Sequence, residues 1–82
     1  MVISVHRLTS LNASGNRNLA KALLDIIILN KAAFVLDGNN WILDTPNKAL
    51  ATRISEEVAA LADEYLGTSK VHEFMADLVS PF

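Results

Sequence analysis

The sequence predicts an α+β fold in which two main helices cover one face of a small antiparallel sheet. Three observations predict it: two short β-prone runs separated by turn residues, an apolar stripe at helical spacing after them, and an almost uninterrupted apolar segment before them. An N-terminal strand would join the sheet, and a short helix would end the chain. With 82 residues, the chain is expected to form a single small domain.

The first predicted element is a strand at residues 2–5, where branched apolar residues alternate in part with polar ones. Residues 8–18 are then rich in Ser, Thr, Asn and Gly, which favour turns. This segment is therefore predicted to be a flexible loop. Ser14 or Asn16 is placed to cap the helix that follows.

Residues 19–29 form the most apolar segment, and only Lys21 and Asp25 interrupt it. These two residues are four apart and share one face of a helix. Asn30 tolerates the left-handed conformation that often ends a helix. A helix that is apolar on most sides is buried on several sides. It serves either the core alone or the core together with a dimer contact, for which Ile27 is a candidate.

Two short runs rich in aromatic and branched residues, 33–36 and 41–43, predict a hairpin. Between them, residues 37–40 (Asp, Gly, Asn, Asn) are turn formers. A four-residue loop places Leu36 opposite Trp41, so that large apolar groups share one face of the hairpin. A two-residue Asp-Gly loop would place an asparagine opposite Leu36. The longer loop is therefore preferred.

A long helix is predicted to begin at residues 44–46 (Asp, Thr, Pro) and to end at Gly67. Its apolar stripe consists of Leu50, Ile54, Val58, Leu61 and Tyr65. One alternative remains open: residues 45–48 form a type I turn, residues 49–54 a third strand, and Ser55 caps a shorter helix. The alanines in this segment favour the continuous helix.

After the long helix, Thr68 or Ser69 can cap a short terminal helix that Ser80 and Pro81 would end. Its apolar face would consist of Val71, Phe74, Met75 and Leu78. Phe82, with its terminal carboxylate, either docks into the groove of a partner or packs loosely at the end of the chain.

The composition predicts a folded chain with surplus apolar surface. Hydrophobic residues make up 51% of the sequence, which excludes intrinsic disorder. A chain this short buries only about 60 to 65% of the surface that it exposes when unfolded. Apolar side chains are therefore left for self-association, and a homodimer is the expected state. The absence of cysteine excludes thiol catalysis, disulfides and cysteine-based zinc sites.

The sequence lacks the apolar segments that direct export or span a membrane. The apolar residues at the start of the sequence are followed directly by His6 and Arg7. They are too few to form the apolar region of a signal peptide. The longest uninterrupted apolar run, residues 26–29, is far shorter than the roughly 20 residues that span a bilayer. A soluble, cytoplasmic protein without a membrane partner is expected.

No residue pattern predicts catalysis or metal binding. His6 and His72 lie in different elements and lack the spacing of metal ligands. The neighbouring carboxylates at 56–57 and 63–64 diverge by about 100° around a helix, so they do not share a proton. Residues 14–17 (Ser, Gly, Asn, Arg) offer free N–H groups to a phosphate but lack the spacing and lysine of a P-loop. The sequence therefore predicts neither an enzyme nor a cofactor.

Charge is distributed unevenly along the chain. Residues 1–53 carry six Lys and Arg against three Asp, a net +3, whereas residues 54–82 carry one Lys against six acidic residues, a net −5. The two halves can attract each other, and the basic half can meet an acidic partner. Arg7, Arg17 and Lys21 precede the first acidic residue. These three cations favour nucleic-acid binding as an alternative function.

Neither helical pair in the sequence has the composition expected of a DNA-binding motif. Residues 61–78 have the spacing of a helix-turn-helix, but Glu73 and Asp77 outnumber Lys70 in its second helix. A winged-helix arrangement needs its second helix just before the hairpin. Residues 19–29 occupy that place and are too apolar to lie on DNA.

The predicted function is that of a small non-enzymatic interaction or regulatory protein that acts as a homo-oligomer, with itself or another protein as partner. Trp41, beside the hairpin turn, is either a partner-binding anchor or a cover for the hairpin face. Trp41, Ile27 and Phe82 are the candidate partner contacts. The alternative is a nucleic-acid-binding regulator that uses the three N-terminal cations.

Overall fold

A computed structural model describes residues 1–79 of the chain. In chain order its elements are β1 (Val2–Ser4), α1 (Val5–Ala13), α2 (Arg17–Leu29), a 3-10 turn (Lys31–Ala33), β2 (Phe34–Asp37), β3 (Asn40–Leu43), α3 (Lys48–Leu66) and α4 (Thr68–Val79). The three strands form one antiparallel sheet in the order β1-β3-β2. The predicted α+β class, with an N-terminal strand, a hairpin and a short last helix, is confirmed.

The hairpin has the predicted register but a shorter loop. Leu36 pairs with Trp41, as expected, and Asp37 also pairs with Asn40, so only two residues remain in the turn. Gly38, with φ of +60°, is the first of these two and has the positive φ that a type II′ turn requires at this position. The predicted four-residue loop is therefore wrong, because its outer residues extend the ladder by one pair.

The two faces of the sheet differ in what covers them. Ile3 and Phe34, on one face, are buried in the same core as the helices, and Trp41 packs against that core. On the other face Val35 is 47% exposed. The helices therefore cover one side of the sheet, as the sequence predicts.

The core is built mainly by α2 and α3, with contributions from β1 and α4. Its fully buried large side chains are Ile3, Leu19, Leu23, Ile27, Ile54, Val58 and Leu78. Those of α2 and of α3 are spaced four residues apart, which places them on one face of each helix. The apolar stripe on each helix therefore faces the shared interior.

The predicted loop at residues 8–18 is wrong, because most of this segment belongs to α1. Ser4 caps the helix: its Oγ accepts a hydrogen bond from the Arg7 N–H at 2.9 Å. Leu11 is buried, and Leu8 packs against the core. These apolar contacts stabilise a helix despite the turn-forming composition of the segment.

Helix α2 is amphipathic rather than buried all round. Its buried side chains are Leu19, Ala20, Leu23, Ile26 and Ile27. Leu24, Ile28 and Leu29 are exposed, at 41%, 59% and 82%. The helix ends at Asn30 as predicted, where the Asn30 N–H donates to the Ile26 carbonyl at 3.1 Å. The φ of Asn30 is −117°, so the expected left-handed conformation is not adopted.

Helix α3 is continuous, and the alternative third strand at residues 49–54 is wrong. The helix begins at Lys48, two residues later than predicted, because Asn47 is the cap: its Oδ1 accepts from the Leu50 N–H at 3.1 Å. Tyr65 is 41% exposed, and Ala62 occupies the buried position near the end of the stripe. The single residue Gly67 joins α3 to α4.

Helix α4 uses the predicted face. Phe74 and Leu78 are buried, and Val71 and Met75 pack against the core as partly buried residues. The predicted stop at Ser80 and Pro81, and the candidate contact Phe82, lie outside the described residues.

Candidate interaction surfaces

Four exposed apolar side chains lie at the end of α2 and on β2, the two elements joined by the 3-10 turn. Ile28 and Leu29 are 59% and 82% exposed, and Val35 and Leu36 are 47% and 53% exposed. We refer to these four residues as the apolar patch. Together they expose an area on the order of 400 Å². Val35 and Leu36 are adjacent on β2, so this area is divided between the two faces of the sheet at its edge.

The strand that carries half of this patch lies at an edge of the sheet. The Ala33 carbonyl accepts from the Asp44 N–H at 2.8 Å, which fixes the alternation of the β2–β3 ladder. The N–H and C=O groups of Val35 therefore point toward β3. Those of Phe34 and Leu36 point away from β3, toward the open edge of the sheet. An edge with outward N–H and C=O groups is a template for another strand.

The two ends of β2 carry opposite charges. Lys31 precedes the strand and Asp37 ends it, and both side chains are exposed. Within residues 1–79, neither of them takes part in an ion pair. A strand that is positive at one end and negative at the other matches an antiparallel copy of itself better than a parallel one.

A second surface lies between α1 and α2, where the structure brings two of the three predicted cations together. Arg17 and Lys21, one turn apart on α2, line a shallow groove with Asn12 of α1. The floor of the groove is apolar and includes Leu8 and Ala20. Neither cation is in an ion pair with a described acidic residue. The groove therefore presents two cations and an amide to solvent.

The turn between these helices places residues 14–17, which lack the pattern of a P-loop, at the start of α2. Gly15 has φ of +88°, and Asn16 is the cap residue but makes no side-chain capping bond. Asn18 and Tyr65 lie beside this turn and line the same concavity. The arrangement leaves the first N–H groups of α2 without a side-chain acceptor.

Arg7, the third predicted cation, is engaged elsewhere. Its Nη2 donates to Asp77 Oδ2 at 2.8 Å, and its guanidinium lies 5.6 Å from the centre of the Phe74 ring. This contact joins the basic and acidic halves of the chain, as their charges favour. Arg7 therefore links α1 to α4 and does not add its charge to the groove between α1 and α2.

We expect Arg7→Ala to lower the free energy of unfolding by no more than about 1 kcal/mol, because the ion pair and the contact with the ring are partly exposed. Urea unfolding of Arg7→Ala, Asp77→Ala and the double variant measures the coupling. Arg53→Ala is the control, since its pair with Glu57 is more exposed and longer, at 3.8 Å. A coupling of several kcal/mol would contradict this assignment.

The other sequence-predicted contacts lie mostly inside the fold. Ile27 is 2% exposed, so the neighbouring Ile28 and Leu29 carry the accessible apolar surface of α2. Trp41 is partly buried and packs against the core. Much of the Trp41 side chain is therefore covered on the core-facing side of the hairpin.

Groups suited to catalysis or metal binding are dispersed. His6 lies on α1 and His72 on α4, and both are exposed. Among residues 1–79, no three His, Asp or Glu side chains are grouped closely enough to hold a metal ion. None of the helices described has the length and apolarity needed to cross a membrane.

Comparison with known proteins gave no match to a family model, to a curated protein or to a solved structure. The two surfaces described above therefore carry the functional argument.

Proposed function

We propose that this chain is a small non-enzymatic interaction or regulatory protein that acts as a homodimer. The observation that carries the proposal is the unpaired edge of β2 with the apolar patch beside it. Exposed apolar side chains gain free energy when a partner removes them from water. A second copy of the same chain offers the same surface, which is how two-fold dimers are built.

The area supports a contact of modest size. A standard interface buries about 800 Å² on each partner. The apolar patch supplies an area on the order of half of this. The polar rim that surrounds an interface core can supply the remainder. Apolar side chains on both sides of the β2 edge therefore supply about half of the area of a standard interface.

The edge also has the symmetry that self-pairing requires. With Val35 on the two-fold axis, the outward backbone groups of Phe34 in one copy face those of Leu36 in the other. Two such pairs give four hydrogen bonds and join the sheets into six strands. The same arrangement brings Lys31 of each copy toward Asp37 of the other. Hydrogen bonds and charges thus favour one antiparallel register.

Light scattering coupled to size-exclusion chromatography tests the dimer. At high micromolar concentration we expect a mass of twice 8.9 kDa. Val35→Lys places two like charges on the two-fold axis and should give a monomer, whereas the wild type remains dimeric. The measurement is the molar mass across the elution peak at several protein concentrations.

Val5→Lys is the matched control, because Val5 is also exposed, at 41%, but lies on α1. It should leave the dimer intact. Circular dichroism of both variants checks that the fold is retained. A monomeric wild type would overturn the dimer, and a dimeric Val35→Lys variant would overturn the pairing through β2.

The nucleic-acid alternative is supported by the pairing of Arg17 and Lys21 in the groove between α1 and α2. Arg7 does not contribute to this groove, because its guanidinium pairs with Asp77. Since each phosphate contact contributes separately to binding, two cations per chain give a weak electrostatic interaction. Self-association therefore has the stronger structural support as the main function.

A further inference from the structure

We infer that α1, the turn at residues 14–16 and the first two turns of α2 form a surface that binds duplex DNA, with α2 entering the major groove. The inference goes beyond dimer formation and does not require it. It rests on the backbone arrangement of the two helices, on the amphipathic character of α2 and on the charge of its exposed face.

The connection between α1 and α2 resembles that of a helix-turn-helix. Helices of 9 and 13 residues are joined by three residues, of which Gly15 adopts a positive φ. A three- or four-residue turn that often contains glycine is typical of this motif. In its DNA-binding form, the N-terminal residues of the second helix contact the bases, and the first helix crosses the backbone.

The burial pattern of α2 removes the objection that its sequence is too apolar for DNA. Leu19, Leu23 and Ile26 face the core. Arg17 and Lys21 are exposed and lie on one face because they are four residues apart. The apolar residues thus stabilise the position of the helix, while its N-terminal half presents polar side chains.

The exposed side chains have the chemistry that reads DNA. Arg and Lys bind phosphates and the O6 and N7 atoms of guanine, and Asn binds the N6 and N7 atoms of adenine. Asn18 on α2 and Asn12 on α1 are both exposed next to the two cations. The first turn of α2 contains no acidic residue. Asp25, the next acid along the helix, lies one turn beyond Lys21.

The charge distribution selects this helix pair over the other one. Helices α3 and α4 are also joined tightly, through Gly67, but the exposed residues of α4 include Glu73 and Asp77. Carboxylates on a would-be recognition helix repel the phosphates of DNA. Helix α2 carries one exposed carboxylate, Asp25, on the face of its two cations, so α1 and α2 have the better electrostatic complementarity to a duplex.

Fluorescence anisotropy with a labelled mixed-sequence duplex of about 20 base pairs tests the inference. Two phosphate contacts per chain predict that binding weakens about tenfold between about 50 and 200 mM salt. If both chains of a dimer contact one duplex, the expected weakening is about a hundredfold. Arg17→Ala/Lys21→Ala should abolish most of this salt dependence and of the affinity.

The matched control is Lys48→Ala/Lys70→Ala, which removes the same charge from exposed positions on α3 and α4. It should keep the wild-type affinity to within about threefold. Equal loss in both double variants, absence of binding at about 50 mM salt, or tighter binding to the corresponding single strand would overturn the inference.

Light scattering of the same samples separates this inference from the proposed dimer. A monomer whose DNA binding depends on Arg17 and Lys21 supports the inference and removes the dimer. A dimer that does not bind DNA at about 50 mM salt removes the inference and leaves the dimer. The two results are therefore obtained independently.

Discussion

Leu23→Ala is expected to lower the free energy of unfolding by about 3 kcal/mol, the largest effect of any change considered for this chain. Leu23 is fully buried on α2 among residues of β1, α3 and α4 that form the same core. Removal of its branched end loses apolar burial and leaves a cavity that rigid neighbours fill only in part. A small protein has little stability to spare, so a substantial unfolded population is expected.

The adjacent residue provides the control for this prediction. Leu24 is 41% exposed, so Leu24→Ala makes the same chemical change on the same helix at the surface. It should cost less than about 1 kcal/mol. Urea unfolding, monitored by far-ultraviolet circular dichroism at one fixed protein concentration, measures the loss of stability in both variants. Equal losses at the two positions would show that α2 is rotated from the orientation described.

Gly67→Ala is expected to cost about 1 to 3 kcal/mol through backbone strain alone. Gly67 joins α3 to α4 with φ of 87° and ψ of 152°, a region that is essentially restricted to glycine. An added Cβ would meet no atom within 4 Å, so a steric clash contributes nothing. The strain should loosen the junction and with it the packing of Phe74 and Leu78.

Thermal unfolding compares this variant with Thr68→Ala, the control at the next position. Thr68→Ala removes only one exposed hydrogen bond, from Thr68 Oγ1 to Asp63 Oδ1 at 2.6 Å. Such a bond is worth about 1 kcal/mol or less. The Gly67 variant should therefore melt several degrees lower than the Thr68 variant. Equal melting temperatures would mean that the junction adopts another backbone conformation in solution.

The parts of the fold that were predictable have strong local signals. The register of the hairpin follows from the large apolar residues, because a shift by one residue would turn them to the opposite face. The stripe of Ile54 and Val58 fixes the buried side of α3 in the same way, and Gly67 fixes its end. In each case the side-chain pattern and the backbone preference agree.

Helix α1 was not predictable from composition because its local preference and its packing disagree. Its Ser, Thr and Asn side chains favour turns in isolation. The spacing of Leu8 and Leu11, after Ser4 as a cap, was the available signal. Contacts of these leucines with distant parts of the chain outweigh the weak helix propensity.

The candidate surfaces were predicted only in outline. The sequence indicates surplus apolar surface on the helix that contains Ile27, but the structure places Ile27 inside and Ile28 and Leu29 outside. The sequence also groups Arg7 with Arg17 by position. In the structure, Arg7 instead pairs with Asp77, seventy residues away. Neither the burial of Ile27 nor the pairing of Arg7 can be predicted from the residues next to it in the sequence.

The sequence by itself determined the class of the fold, the hairpin register, the continuity and the end of α3, and the surplus of apolar side chains. These features depend on periodicity and on turn and capping residues, which act over a few positions. The tertiary structure alone decided which side of α2 is buried, which strand edge remains open and which cations share a groove. Those outcomes depend on contacts between segments far apart in the chain, because a side chain is exposed or covered only relative to the elements packed around it.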